Sequence, residues 1–307
     1  MLDIIGKRYW YFLASAIVII PGLISLLMQP GLKLGVDFTG GTLWEMQFTT
    51  QVQPSDLKTV LTKFDLGDSV IQTSGENTLL VRSKEIRSDS PQKTDIANAI
   101  KQRFGNFTEL RFESVGPAIG QEVAQQAIWA VIAASIGILL YISWAFRKVP
   151  SPFRYGVCAI IALLHDALLV LGVFSILGKL FNVEIDSLFV TALLTVIGFS
   201  VHDTIVVFDR IRENMSKRTG EPFGEVVNHS VLQTLGRSLN TSLTVIFTLT
   251  ALTLFGGVTT KNFVLALLIG IVSGTYSSIF NASMLLVVWE NGELGGLFRR
   301  LVPGRAS

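Results

Sequence analysis

The stretch Leu194-Thr195-Val196-Ile197-Gly198-Phe199-Ser200-Val201-His202-Asp203-Thr204-Ile205-Val206-Val207-Phe208, followed at once by Asp209-Arg210-Ile211-Arg212-Glu213, decides how the chain is read. The apolar run around it, about 187–208, has the roughly 20 residues that a helix needs to cross a bilayer core. Its exit is charged, as befits a segment returning to water. Inside it sit His202 and Asp203, ionisable groups that hydrocarbon tolerates only where they face protein or a water-filled cavity. The run is a membrane helix with one side turned away from lipid.

Five other runs reach the same length: about 9–28, 124–146, 155–177, 238–256 and 263–289. Half of the 307 residues are hydrophobic and only 16% are charged, against about 25% in soluble domains. The breaks are short: Arg147-Lys148-Val149-Pro150-Ser151-Pro152, Gly178-Lys179 and Gly256-Gly257. The first run follows Lys7-Arg8, as a signal peptide would, but it is longer than a typical h-region and closes on Gln29-Pro30-Gly31 without a small-x-small cleavage site, so it reads as an uncleaved span. One cysteine, Cys158, excludes an internal disulfide and leaves the redox compartment unread.

Basic residues set the orientation. One set of loops carries Lys7, Arg8, Arg147, Lys148, Arg154, Arg210, Arg212, Lys217, Arg218, Arg237, Arg299, Arg300 and Arg305, while the short loops opposite carry only Lys179 and Lys261. Both termini are expected in the cytoplasm, and the segment 29–122 outside. The expected division is 1–28 (N-terminus and first helix), 29–122 (external α+β domain) and 123–307 (five-helix membrane domain). Asp209, Arg210, Arg212 and Glu213 read as the start of a solvated helix running toward Asn228.

The external segment alternates like a strand over Thr42–Phe48. A helix with Ser55 as its cap runs to about Phe64. Strands near Ser69–Thr73 and Thr78–Arg82 are joined by the hairpin-like Ser74-Gly75-Glu76-Asn77. A helix over about Gln92–Phe104 and a strand near Leu110–Ser114 complete β-α-β-β-α-β, the order of a ferredoxin-like fold.

Within the spans the polar residues are patterned. His165-Asp166 lies near mid-depth of the third and His202-Asp203 in the inner part of the fourth. Thr191, Thr195, Gly198 and His202 share one face of the fourth helix, flanked by Ser200 and Asp203, and Arg237, Thr241, Thr244 and Thr248 share one face of the fifth. These hydroxyl stripes either hold water or bond across helices. Gly270, Gly274 and Ser278 give the sixth a small face for close packing. Low dielectric favours a protonated carboxyl group and a nearby arginine favours its anion. Asp203 with Arg237 is therefore a candidate proton switch, unless Arg237 snorkels to the interface and never meets it. Asp166 is a second candidate, and His202 is read as a neighbour of the site.

These motifs resemble the SecD/SecF family of bacterial Sec protein export. Gly35-Val36-Asp37-Phe38-Thr39-Gly40-Gly41 is similar to the signature that opens its external domain, and Ser114-Val115-Gly116-Pro117-Ala118-Ile119-Gly120 to the motif that leads into the second span. Leu194–Asn214, Thr234-Leu235-Gly236-Arg237-Ser238 and Leu254-Phe255-Gly256-Gly257 resemble the fourth span and the two ends of the fifth in its SecF members. The resemblance implies a polytopic α-helical protein of the bacterial inner membrane, six helices forming an RND-like half, with one small ferredoxin-like domain between helices 1 and 2. It implies SecD and the SecYEG channel as partners, unfolded preproteins and lipid in contact, no nucleic acid, and protons rather than a cofactor or metal as the coupling agent. By motif match Asp203 and Arg237 take the proton-relay positions, with Asp166 a third candidate. Thr195, Ser200, His202, Thr241 and Thr244 are the polar stripe supporting them. Many relatives have Asn where this chain has His202. Gly35, Asp37, Gly40, Gly41, Gly116, Pro117 and Gly120 are read as the hinge of the external domain or, on the plainer reading, as tight structural turns.

Three other classes compete. Half of an RND-type small-molecule exporter would need a second chain. An intramembrane aspartyl protease would use both aspartates, but Phe199-Ser200-Val201-His202 stands where a Gly-x-Gly context is required, and no P-loop, HExxH or GxSxG occurs. A scaffold that only stabilises SecD and the channel predicts that Asp203 and Arg237 matter through folding alone.

Overall fold

The computed structural model describes residues 2–257 and 260–293, so the Arg299, Arg300 and Arg305 cluster lies outside the described residues. Among the described residues six helical segments are long and apolar enough to cross a membrane. Contacts divide the chain into two units, one formed by Leu34–Trp129 and the other by the residues on either side of it.

In the smaller unit, Gly41–Phe48 (β1), Val70–Gly75 (β2), Thr78–Ser83 (β3) and Phe107–Val115 (β4) form an antiparallel sheet of order β2-β3-β1-β4. That order and the intervening helices make the fold ferredoxin-like. Ahead of the sheet lies a single turn, Val36–Thr39, which we number α2, α1 being the first membrane helix. Helices α3 (Pro54–Thr62) and α4 (Pro91–Phe104) lay Leu57, Val60, Leu61, Ile96 and Ile100 against Trp44, Met46, Phe48, Leu79 and Val81. The expected cap at Ser55 is corrected: α3 starts at Pro54 with Gln53 before it, because proline's fixed φ suits the first helical position. Helix α4 does have a serine cap, Ser90, whose Oγ accepts from Lys93 N at 3.3 Å. The hairpin turns on Glu76-Asn77, with Asn77 at φ +55°, a left-handed conformation that asparagine tolerates.

The membrane unit contains α1 (Arg8–Leu27), the later part of α5 (Pro117–Ala145), α6 (Pro152–Phe181), α7 (Ser187–Lys217) and α8 (Phe223–Phe255). The sixth span is α9 (Lys261–Tyr276), a π-helical turn Ser277–Ala282, and α10 (Ser283–Glu290). Helix α6 starts on a proline and α7 on Asp186, whose Oδ1 accepts from Phe189 N at 2.9 Å. Helices α6, α7 and α9 carry the most buried faces, whereas α1, α5 and α8 present Trp10, Ile17, Leu140, Trp144, Phe247 and Phe255 outward, apolar surface that only lipid or another chain can cover.

Two close approaches fix the packing. A Cβ on Gly22 would stand 2.8 Å from Gly172 Cα, so α1 and α6 cross backbone to backbone there. A Cβ on Gly270 would stand 2.2 Å from Val196 Cγ2, which shows that the small face of the sixth span seats α7. Lys179, read as a loop residue, lies in α6, where its Nζ donates to Ser25 O and to Met28 O at 2.9 Å and so closes the C-terminal end of α1.

The structure corrects the segment after the fourth span. Helix α7 continues unbroken to Lys217, the chain turns through Arg218–Pro222, and Asn228 belongs to α8. Arg237 is therefore fourteen residues into α8 and not at its start. The charged residues Asp209–Glu213 lengthen the membrane helix because ion pairs such as Arg210 Nη1–Glu213 Oε2 (2.5 Å) and Lys217 Nζ–Glu213 Oε1 (2.6 Å) support it beyond the apolar run. Asn228 holds the N-terminus, accepting from Ile4 N at 2.9 Å and donating to Leu2 O at 3.0 Å.

Candidate functional site

The His-Asp dipeptide occurs on two adjacent helices, and the two copies have different surroundings. Asp166 on α6 is fully buried. Its Oδ2 accepts from Ser200 Oγ on α7 and from Ser277 Oγ in the π-helical turn, each at 2.6 Å. Its Oδ1 accepts from Ser273 Oγ on α9 at 2.6 Å and faces His165 Nδ1 at 3.0 Å. A carboxylate has about four lone-pair sites, and here each has a donor. Ser278, next to Ser277, donates to Ser200 O at 2.9 Å, and Thr204 Oγ1 donates to Ser278 Oγ at 3.0 Å, so the same turn is tied to α7 twice more. Such π-helical turns recur at functional sites in membrane and soluble helices; this one brings Ser277 and Ser278 to two different helices.

Asp203 on α7 is also buried, at 2% exposure, but it is loosely held. Ser242 Oγ on α8 lies 3.4 Å from its Oδ2, and His202 Nδ1 lies 3.6 Å from its Oδ1. Ser242 Oγ also accepts from Thr275 Oγ1 at 2.7 Å, which leaves its own proton for the long contact to Asp203. Ser238, one turn before it on the same buried face, has a hydroxyl with no hydrogen-bond partner among the described residues. Asp203 is thus buried beside polar groups that stand at long hydrogen-bonding range.

Arg237 stands apart. Among the described residues no hydrogen bond or ion pair joins its side chain to Asp203; it is exposed, at a cavity of about 320 Å³ that it lines with Val206, Asp209, Glu213, Gln233 and Thr234. The expected pairing of Asp203 with Arg237 is absent from this structure, since α8 turns Ser238 and Ser242 inward and Arg237 outward.

The polar stripes need correcting too. Ser200 belongs to the Asp166 site, on the opposite side of α7 from Thr195 and His202. Thr191, Thr195 and His202 are exposed, the His202 side chain by 66%, and so are Thr241, Thr244 and Thr248 on α8. Their threonine hydroxyls bond back to their own helices: Thr195 to Thr191 O (2.8 Å), Thr241 to Arg237 O (3.0 Å) and Thr244 to Thr241 O (2.7 Å). Ser238, Ser242, Ser273, Thr275 and Ser277 were missed by sequence reasoning. The available signal was the four-residue spacing of Ser238 with Ser242 and of Ser273 with Ser277, but all five lie one position from the stripes that drew attention, and one residue is 100° around a helix.

In the smaller unit the two glycine motifs pack against each other. Gly40 has φ +73°, and a Cβ on it would stand 2.6 Å from Pro117 Cα; a Cβ on Gly120 would stand 2.9 Å from Gly40 N. Asp37 lies in the turn α2 between them, Gly35 precedes that turn in extended conformation, and Gly116 keeps an ordinary distance from Glu85. These glycines form a tight joint in which a side chain at Gly40 or Gly120 has no room.

Fold and site together define a multi-pass membrane protein of six helices with two buried carboxylates in the helix core and a small ferredoxin-like unit inserted after the first helix. The family model "Protein export membrane protein SecD/SecF, C-terminal" matches residues 95–292, and "SecD/SecF GG Motif" matches residues 25–52. The chain belongs to the SecD/SecF family. It is 57% identical to protein translocase subunit SecF of Thermobaculum terrenum, with all of each chain covered, and 50% identical to protein translocase subunit SecF of Anaerolinea thermophila, with 98% of each covered. A crystal structure of SecDF from Thermus thermophilus superposes with a TM-score of 0.81 at 33% identity over 94% of this chain and 39% of that one. The chain thus spans about two-fifths of that longer protein.

Proposed function

We propose that the chain works with a SecD subunit in Sec protein export and that protonation of Asp203 drives its conformational cycle. The observation that carries this is the state of Asp203: a carboxyl group buried in a membrane helix whose nearest donors stand at 3.4 and 3.6 Å. A group with unused acceptor capacity in low dielectric exchanges a proton for an ion pair at small structural cost, whereas one with four donors does not. In the charged state Ser242, Ser238 and Arg237 are the groups on α8 able to close on it. The relatives named protein translocase subunit SecF support the export reading, and the SecDF structure supports SecD as the partner.

The exposed polar face of α7 and α8 supports the same partner. His202, 66% exposed on the face it shares with Thr191 and Thr195, is costly against lipid, and helices of SecD are the proposed cover for this face and for Thr241 and Thr244 beside it. The basic loops support cytoplasmic termini, with the ferredoxin-like unit outside, where it meets an emerging polypeptide. No cofactor or catalytic residue is assigned, protons being the coupling ion.

The test is export of a reporter protein into inverted membrane vesicles with and without a proton gradient, comparing Asp203→Asn with the unaltered chain at matched levels. Loss of only the gradient-dependent part is expected. An unchanged gradient response would sink the mechanism and leave a scaffold.

A further inference from the structure

The groove between α1 and α9 has no place in that reading. It has a volume of about 460 Å³, within the range of small-molecule sites. Its walls are Ala14 and Val18 of α1, Leu169 of α6, and Leu268, Ile269 and Val272 of α9. They are apolar, and the groove opens at the surface where Val18 and Val272 are exposed. At its floor lies the ring of His165. Nδ1 of that ring faces Asp166 Oδ1 at 3.0 Å, and Nε2 is buried without a hydrogen-bond partner among the described residues.

The other polar groups at the floor are already engaged. Ser15 and Asn281 bond to each other, Asn281 Nδ2 donating to Ser15 Oγ at 2.9 Å. Tyr276 OH donates to Tyr11 O at 2.7 Å, and Ser273 donates to Asp166. With Asp166 accepting at Nδ1, the neutral ring carries its proton there and presents Nε2 as an acceptor. A buried acceptor with nothing to accept from is costly, and the groove supplies the space for a donor.

Depth narrows the chemistry. His165 is about 20 Å from either end of α6 at about 1.5 Å per residue, so no phospholipid headgroup reaches it. An alkyl chain alone fills the walls but leaves Nε2 orphaned. We propose that the groove binds a neutral, membrane-dissolved molecule with an aliphatic body and one hydroxyl group, the hydroxyl donating to His165 Nε2. Occupancy also fixes the His165 tautomer and so holds the ring against Asp166, which links the lipid-facing groove to the most tightly bonded carboxylate in the core.

The experiment uses the whole chain in nanodiscs of dioleoylphosphatidylcholine, a lipid with no hydroxyl or N–H donor. The chain has three histidines, so nitrogen-15 labelling of histidine gives few resonances, and loss of one in His165→Gln assigns the site. Titration with 1-dodecanol should move the His165 Nε2 resonance saturably toward lower shift. Dodecane should leave it in place, yet compete for the groove about fivefold more weakly than the alcohol, the ratio one net hydrogen bond supplies. Val272→Trp, which fills the groove from α9, should abolish the response; Ala14→Leu does the same from α1 should the first variant fail to fold. No movement with dodecanol, an equal movement with dodecane, or an undiminished response in a filled groove would overturn the proposal. A resonance already at the hydrogen-bonded position before any alcohol is added would overturn it too, since water would then be the partner.

Discussion

Asp166 and Asp203 are each preceded by histidine, each buried, and each near the middle of a long apolar helix, yet one has donors within 3.0 Å at every acceptor site and the other has none nearer than 3.4 Å. The histidines differ in the same sense: the His165 side chain is 11% exposed and that of His202 66%. The contrast comes from what packs opposite. Asp166 faces a helix whose small residues let α7 and α9 approach closely enough for three serines to reach one carboxylate. Asp203 faces α8, whose inward serines stand farther off: Ser242 reaches it only at 3.4 Å, and Ser238 bonds to nothing among the described residues. A carboxylate saturated by hydroxyls holds helices together, and an unsaturated one is free to change partners. The two aspartates therefore have different settings, and the sequence around each does not tell them apart.

The largest effect should separate the two residues by what fails. Asp203→Asn should abolish the gradient-dependent part of export while shifting stability by no more than about 1 kcal/mol, since it loses only long contacts. Asp166→Ala should do the reverse in kind, lowering stability by about 3 kcal/mol, because one removal strands three serines and a histidine in the core. Thermal unfolding of the purified proteins in nanodiscs measures both. Equal destabilisation by the two substitutions would erase the comparison. Within the Asp166 site the cost should be spread: Ser273→Ala or Ser277→Ala alone should cost about 0.6 kcal/mol, the usual size of a hydrogen bond between membrane helices.

The closeness of α7 and α9 is what makes the tight site possible, and it is testable on its own. Gly270→Val places its side chain where Val196 Cγ2 already stands and should cost about 1–3 kcal/mol by overpacking. Val196→Ala in the same chain should restore most of the loss. A neutral Gly270→Val would mean that the helices are not held by this contact.

Much of the architecture was legible because lipid leaves few options. A run of twenty apolar residues between charged breaks has one common structure in a bilayer, and β-α-β-β-α-β with these strand lengths fits few folds. Ser55 was misplaced as a cap because proline's preference for the first turn outranks serine's. The ends of α7 and α8 were misplaced because apolar length marks what lipid covers, and both helices continue past it on ion pairs and on the packing of Val226, Val227 and Val231. The site was legible only in part. Asp166 and Asp203 stand out as charges in apolar runs, but the serines that distinguish them come from three other elements, and no local spacing records which helix faces which. The exposed threonine stripes show the complementary gap: one chain's pattern marks a polar face without saying whether its own core or a second chain covers it.

The smallest effect concerns a third carboxylate, at the water end of the bundle, and it sharpens the comparison by removing lipid from it. Glu293 is as well supplied with donors as Asp166: Arg8 Nη2 at 2.7 Å and Nε at 3.2 Å, Tyr9 OH at 2.7 Å and Asn291 Nδ2 at 3.0 Å. Partial burial alone would raise its pKa, but hydrogen bonds from Asn291, Tyr9 and Arg8, with the charge of Arg8, hold it below its ordinary 4.5. A depressed carboxyl pKa stabilises the fold fully above the unfolded value, and that contribution fades as pH falls through the folded one. Glu293→Gln should therefore lower stability at neutral pH and lose the difference from the unaltered chain below about pH 4. The size should be about 0.5 kcal/mol, because water competes for the same donors and salt screens the pair. An effect at Glu293 as large as that of Asp166→Ala would mean that donor count alone, and not exclusion of water, sets the strength of these sites.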